Sequence, residues 1–270
     1  MSEYKGYKII CGTTDKINEM MSVDHYGNWA INEYAIIQNV DDGSQKEMRF
    51  DGTGFVPLKL PPSKFIKAKN ALQRCALDAL TNPNITIVAL LGLPGSGKSF
   101  LMTQCGLYSI HEKGWQQGMI SIREPISNSC KETGYLPGDF ANKNEPFVKP
   151  IEEQLSGGSF EMMSLIQRGE FEAITPYYIK GRTFASKYIM VEEAEDLTER
   201  QIRLIGTRVG EESKIVFSGD RKQSEIDRSD NNPLTKMASY FKGNPLFACV
   251  YLNEDVRSET SRLFAEMYFD

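Results

Sequence analysis

The run Gly92-Leu93-Pro94-Gly95-Ser96-Gly97-Lys98-Ser99 sets glycines, a lysine and a hydroxyl at G-x-x-x-x-G-K-[ST] spacing. At average residue usage such a run arises by chance in roughly 1% of chains this long. The residue types suit a phosphate cradle. Glycines let the backbone turn back so that successive N–H groups face one anion. A helix opening at Lys98 adds the positive end of its dipole. Lys98 supplies a cation for the β- and γ-phosphates of ATP, and the Ser99 hydroxyl is the expected Mg²⁺ ligand. Pro94, Ser96 and Phe100, within or just after the turn, are expected to line the same site.

Hydrolysis at such a site needs one carboxylate to hold the metal and a second to position water. The apolar run Tyr188-Ile189-Met190-Val191 ends in Glu192-Glu193-Ala194-Glu195. Glu192 stands on the metal side, and Glu193 stands where a general base or water-orienting group belongs. A charged strand end opening a helix is the plainer alternative, since acids suit helix N-termini. Downstream, Lys214–Ser218 runs into Gly219-Asp220-Arg221-Lys222-Gln223. There Gln223 could sense the γ-phosphate or the attacking water, with Asp220 orienting it. Asp255-Val256-Arg257 follows a further strand, which makes Arg257 a candidate arginine finger. Each of these, taken singly, reads more readily as an ordinary loop residue than as a catalytic one, and it is as ordered members of one set that they point to catalysis.

The elements that must position these groups follow from periodicity. After Pro83, short continuous apolar runs alternate with helical patterns: Thr86–Leu91, Lys98–Lys113, Met119–Ile122, Tyr188–Val191, Thr198–Val209, Lys214–Ser218, Pro233–Phe241, Leu246–Leu252 and Glu259–Tyr268. That alternation predicts an α/β fold with a mostly parallel sheet flanked by helices. The stretch 123–180 interrupts the rhythm and reads as long loops around a helix at 147–168. Lys64–Leu80 reads as a helix with Phe65, Ala68, Leu72, Cys75, Ala76 and Ala79 on one stripe. Residues 1–52 are polar and irregular, with β-like pieces at Glu33–Gln38 and Lys46–Phe50 around the turn Asp41-Asp42-Gly43-Ser44. Residues 1–60 are therefore expected to form a small β-containing extension and connector, and residues 61–270 the main domain.

Bulk properties exclude several classes. The chain has 270 residues, 40% hydrophobic and 25% charged, with net charge −5, so it is no polycation. A nucleic-acid partner would need a local basic face. Lys59, Lys64, Lys67, Lys69 and Arg74 are the visible run, and such a run is usually a solvated face. No apolar run reaches the roughly 18 residues that span a bilayer. No secretory signal opens the chain. Five scattered cysteines without a C-x-x-C pair suit reduced thiols in the cytoplasm rather than zinc or disulfides. His25 and His111 are too few and too distant for a histidine-built centre.

Loop sequences add a resemblance. Gly134-Tyr135-Leu136-Pro137-Gly138-Asp139, Gly181-Arg182-Thr183, Glu193-Ala194, Ser218-Gly219-Asp220 with Gln223, and Val256-Arg257 occur in an order that resembles the PhoH-like ATPases. The likeness runs from about Ile31 to the C-terminus. It implies a RecA-like P-loop NTPase core related to superfamily 1 helicases, often a hexameric ring with ATP between subunits. It places Arg257 at an ATP of the same or an adjacent subunit, and Arg182 near the nucleotide or the ring interface. Asn70 and Gln73 fall at an adenine-side N-x-x-Q element, and Gly134–Asp139 would face the channel or a partner. Asn32–Leu60 looks like the connector that follows a PIN nuclease in longer members. With about 30 residues before it, no nuclease site is expected. Three departures stand out: Glu192 for the family's usual Asp, Glu195 for its usual Gln, and Arg123-Glu124-Pro125 for an Arg-Pro step.

The leading expectation is a Mg²⁺-dependent ATPase acting on RNA or single-stranded nucleic acid as a helicase-like motor, assembled as a homo-oligomer without a membrane. Two other classes share the loop. One is a slow ATP-hydrolysing switch working through oligomer state, and the other is a phosphotransferase with a small acceptor. The Gly219–Gln223 strand end suits water activation better than an acceptor pocket.

Overall fold

A computed structural model describes residues 4–124, 148–225, 227–229, 231–256, 259–260 and 263. In chain order the strands are β1 Tyr7–Gly12, β2 Tyr34–Asn39, β3 Gln45–Phe50, β4 Phe55–Pro57, β5 Ile87–Gly92, β6 Gly118–Arg123, β7 Phe171–Ile174, β8 Lys187–Glu192, β9 Lys214–Gly219 and β10 Phe247–Leu252. The helices are α1 Thr14–Met20, α2 Ala71–Thr81, α3 Lys98–Leu107, α4 Gly158–Gln167, α5 Glu199–Gly206 and α6 Pro233–Phe241.

Six strands form one all-parallel sheet in the order β10-β5-β9-β8-β6-β7. Its central strands are buried on both faces, which explains their unbroken apolar sequences. Along β5, Val88 and Leu90 pack with Leu72, Ala76, Leu101 and Met102 of α2 and α3. Ala89 and Leu91 point the other way, toward Ile205, Leu234 and Ala238 of α5 and α6. Strand period two thus assigns alternate residues to two separate cores. Parallel pairing also gathers every strand's carboxyl end on one edge, where crossover loops leave room for a ligand.

The N-terminal sheet has the order β1-β2-β3-β4, with β1 parallel to β2 and the rest antiparallel. It is locked to the main sheet by buried polar bonds. Asp78 on α2 accepts from Tyr34 Oη at 3.1 Å, Arg49 Nε at 2.9 Å and Lys59 N at 2.7 Å. Arg49 Nη1 donates to Asn32 Oδ1, and Asn32 Nδ2 donates to the carbonyls of Pro245 and Phe247 beside β10. Tyr251 N donates to Lys5 O, so the chain ahead of β1 covers the outer edge of β10.

Several sequence expectations change. The helix predicted over Lys64–Leu80 begins at Ala71, because the Asn70 side chain accepts from Gln73 N and caps it there. Phe65 and Ala68 still pack on the core, but from a turn. The helix expected at 147–168 is broken, with α4 starting at Gly158, whose φ is +52°. Three strands were not foreseen: β1, the three-residue β4 and the four-residue β7 at the sheet edge. The expected C-terminal helix Glu259–Tyr268 lies almost wholly outside the described residues. No helix among the described residues is long and apolar enough to cross a membrane.

Candidate nucleotide-binding site

At the carboxyl end of β5 the chain turns through Gly92–Gly97 into α3. Gly92 has φ +135°, and a Cβ there would lie 2.0 Å from Leu252 O on β10, so neither the conformation nor the space admits a side chain. Gly95 has φ +74°, and its missing Cβ would sit 2.3 Å from Asp255 Oδ1. Ser96 Oγ donates to Leu93 O at 2.8 Å and ties the turn to itself. Gly97 is the N-cap of α3, so the helix's free N–H groups open on the loop. Lys98 Nζ folds back on the Gly92 and Leu93 carbonyls at 2.6 and 2.8 Å.

Gln73 supports this loop from beneath. It is 4% exposed, its Nε2 donates to Ser96 O at 3.0 Å, and its Oε1 accepts from Lys69 N at 2.8 Å. From above, the segment after β10 crosses the loop. Val256 N donates to Gly95 O, Lys69 Nζ donates to Val256 O, and Asn70 Nδ2 donates to Glu254 Oε2. Of the basic run Lys59–Arg74, Lys69 is thus tied to the crossing segment and Arg74 is paired to Glu47 on β3, while Lys59, Lys64 and Lys67 lie exposed.

The first acidic residue comes from β8. β9 lies between β8 and β5. Glu192 bridges that gap: its Oε2 is 3.4 Å from Ser99 Oγ, and its Oε1 accepts from Ser121 Oγ at 3.2 Å. Burial holds its pKa above the usual carboxylate value, with the nearby Arg123 charge opposing. Glu193 adopts φ +51°, ψ +42°, left-handed backbone that costs a non-glycine residue about 1–2 kcal/mol. The turn aims its carboxylate away from Glu192 toward Arg123, whose Nε donates to Oε2 at 2.9 Å and whose Nη2 contacts Oε1.

Glu195 completes a carboxylate trio. Its backbone carbonyl accepts from Ser224 Oγ at 3.0 Å and Asn232 Nδ2 at 2.9 Å. Its side chain lies against the end of β9, where a Cβ on Gly219 would be 2.1 Å from Oε2. Burial pushes its pKa up to about 7, while backbone N–H groups and Lys98 pull down. Beside it, Asp220 caps its own turn by accepting from Lys222 N and holds Gln223 Nε2 at 3.0 Å.

These groups line one cavity of about 630 Å³, within the usual size of small-ligand sites. It brings together Pro94, Gly95, Ser96, Gly97, Lys98, Ser99, Phe100, Gln73, Glu192, Glu193 and Gln223, with Arg123 and Glu195 added. Gly92 lies just behind them at the strand end. Arg182 is not part of it: its guanidinium makes two 2.7 Å contacts to Glu172 on the edge strand β7 and sits over the Phe184 ring. Arg257 and Gly134–Asp139 lie outside the described residues. A larger hollow, about 970 Å³, opens between α5 and α6 at the amino ends of β5 and β9, away from the loop.

Sequence reasoning passed over Ser121 and gave Glu195 no role. Ser121 shows as a lone polar residue in the buried run Met119–Ile122. Glu195 showed only as a departure from a familiar pattern.

Comparison with known proteins agrees with this architecture. The family model described as PhoH-like protein matches residues 65–269. Protein PhoH2 of Bacillus subtilis (strain 168) is 32% identical over 251 residues, covering 87% of this chain and 56% of that protein. Protein PhoH2 of Mycolicibacterium smegmatis is 30% identical over 75% of this chain and 47% of its own length. The PhoH-like protein of Synechocystis is 26% identical over 71% and 58%. The chain spans about half the length of the curated relatives it matches.

Proposed function

This chain belongs to the family of PhoH-like proteins, and from that premise we propose that it binds ATP with Mg²⁺ in the Gly92–Ser99 cavity and hydrolyses it. The observation that carries the reading is the meeting, in one cavity, of an anion cradle and a pair of carboxylates in different environments. Glu192 is buried against two hydroxyls, whereas Glu193 is half-exposed and reachable by water.

The donor set fits a hard divalent cation, since Ser99 Oγ and Glu192 Oε2 already lie 3.4 Å apart and both are oxygen ligands. Bound there, Mg²⁺ would neutralise charge on the β- and γ-phosphates. The loop N–H groups and Lys98 hold the phosphates, once Lys98 leaves the Gly92 and Leu93 carbonyls. Glu193 accepts the proton of the attacking water, and Gln223, fixed by Asp220, orients that water. Phe100, 42% exposed at the cavity mouth, offers an apolar surface to the nucleotide. Arg257, one residue beyond the segment that crosses the loop, would add charge stabilisation in the same or an adjacent subunit.

The motor reading, with RNA or single-stranded nucleic acid as partner and a hexameric ring as assembly, rests on family membership. Phosphate release from Mg-ATP, measured with and without single-stranded RNA on a peak of known mass, tests both levels. Lys98→Ala should abolish binding, and Glu193→Gln should lower turnover at least a hundredfold with binding kept. Turnover that survives Lys98→Ala would refute the site, and indifference to RNA would refute the motor.

A further inference from the structure

We propose that Arg123 is a positioning residue for hydrolysis: its guanidinium holds the Glu193 carboxylate, through both oxygens, in the orientation that meets the attacking water. The inference rests on the reading of Glu193 as the group that takes that water's proton.

Glu192 and Glu193 are consecutive, and in an extended strand successive side chains point to opposite faces. A strand that simply continued would carry Glu193 away from Ser99, which Glu192 meets. The left-handed backbone at Glu193, φ +51° and ψ +42°, instead ends the strand and keeps its side chain in the wall of the same cavity. Such backbone at a residue other than glycine persists where its surroundings fix it, and it clusters at working sites. Here β6 does the fixing. Arg123 is the last residue of β6 and stands in register with Glu192. Ser121, two positions earlier and so on the same face, holds Glu192 Oε1 at 3.2 Å. One face of β6 thus steers both glutamates, the first with a hydroxyl and the second with a planar fork.

The fork suits the task. Arg123 donates from Nε to Oε2 at 2.9 Å and from Nη2 to Oε1, a two-point contact that fixes the plane of the carboxylate as well as its place. Each carboxylate oxygen has two lone pairs, so the contact leaves one on each for water. Exposure divides accordingly: the Arg123 side chain is 19% exposed and that of Glu193 37%. Ion pairs this open to solvent add little stability, so what the pair supplies is orientation.

The test measures single-turnover ATP hydrolysis and equilibrium binding of Mg-ADP on the intact chain, for Arg123→Gln, Arg123→Lys, Glu193→Gln and the double variant with glutamine at both positions. Arg123→Gln should slow the chemical step about a hundredfold, the loss that follows a misplacement of roughly 1 Å. Its Mg-ADP affinity should change less than about threefold, since the contact is spent on chemistry and not on binding. Arg123→Lys keeps the charge without the fork and should lose about tenfold. In the Glu193→Gln background, Arg123→Gln should change the rate less than about threefold, because nothing is left to position. A wild-type or faster rate in Arg123→Gln overturns the proposal, and a faster one makes the pair a lock on Glu193. A matching loss of Mg-ADP affinity also overturns it, as does a full further loss of rate in the double variant, which would make Arg123 act apart from Glu193. These three outcomes leave the reading of Glu193 standing. Wild-type protein without turnover, or Glu193→Gln at the wild-type rate, overturns that reading and the proposal with it. If Arg123→Gln fails to fold, Arg123→Lys decides by the same split between rate and affinity.

Discussion

Gln73 offers a direct test of how the phosphate loop is held. Family resemblance places it beside adenine, whereas the structure sets it under the loop, between Ser96 O and Lys69 N. Replacing it with leucine keeps most of the volume and removes both bonds. Lys69 is exposed, so its N–H regains water at little cost. Ser96 is 1% exposed, and its carbonyl would be left buried without a donor, at about 1–3 kcal/mol. If that penalty is relieved by loop distortion, the binding-competent loop is depleted by a factor of about 5 to 150. The loss falls on the cradle, so it should be common to every triphosphate. Mg-ATP and Mg-GTP affinities measured by calorimetry should drop together in Gln73→Leu, with their ratio changed by less than about threefold. A drop of tenfold or more for ATP with GTP unchanged would refute the loop-support argument and restore the adenine-reading role. Unchanged affinity for both would refute any role in the site.

Asp78→Ala leaves Arg49 buried without its carboxylate and should cost about 3–5 kcal/mol, seen as a fall in melting temperature of roughly 10 °C. A change under 2 °C would show that the buried network does not fasten the N-terminal sheet. Gly92→Ala forces a Cβ onto Leu252 O and should unfold the β5–β10 pair, whereas Gly206→Ala, with nothing within 4 Å, should be neutral or stabilising by about 0.5–1 kcal/mol; equal melting temperatures would contradict both. Lys214 is wholly buried, donates to the Ala79, Asn82 and Ile85 carbonyls at the end of α2, and has its pKa pushed down to about 7 by burial. Its unfolded form keeps the proton up to about 10.5, so the unfolded state binds more protons between pH 7 and 10.5 and stability should rise across that window. Lys214→Met should flatten that rise in chemical-denaturation midpoints, and an unchanged slope would refute the assignment.

How much of this was legible depended on whether a feature is local. The phosphate loop, the strand before it and the acidic end of β8 are consecutive residues, and periodicity plus spacing recover them. The α6 limits Pro233–Phe241 were read as they stand, because proline at the first turn marks the start. β7 was missed since Phe171–Ile174 is too short for a pattern, and it forms by pairing with β6. The false start of α2 at Lys64 came from an apolar stripe that faces the core without being helical. Asn70 ends the ambiguity only through a side-chain bond, which sequence does not display. Glu195 against Gly219, and Arg123 against Glu193, join residues 24 and 70 positions apart. Nothing local announces either contact.

The reach of Glu192 follows from the strand order. β9 separates β8 from the loop strand, so a carboxylate at the end of β8 must extend across the end of a whole strand to meet Ser99. Gly219 and Ser218 keep that passage narrow in bulk, and the longer side chain closes it to 3.4 Å while Ser121 steadies the other oxygen. The same spacing sorts the remaining charge. Four cations, Lys67, Lys69, Lys98 and Arg123, share the cavity with four carboxylates, Glu153, Glu192, Glu193 and Glu195. A triphosphate adds several negative charges to a wall already in balance. Relief can come from a divalent cation at the Ser99–Glu192 pair, because Arg123 is already committed to Glu193. The cation thus answers an electrostatic requirement set by where β8 and its following turn place three glutamates.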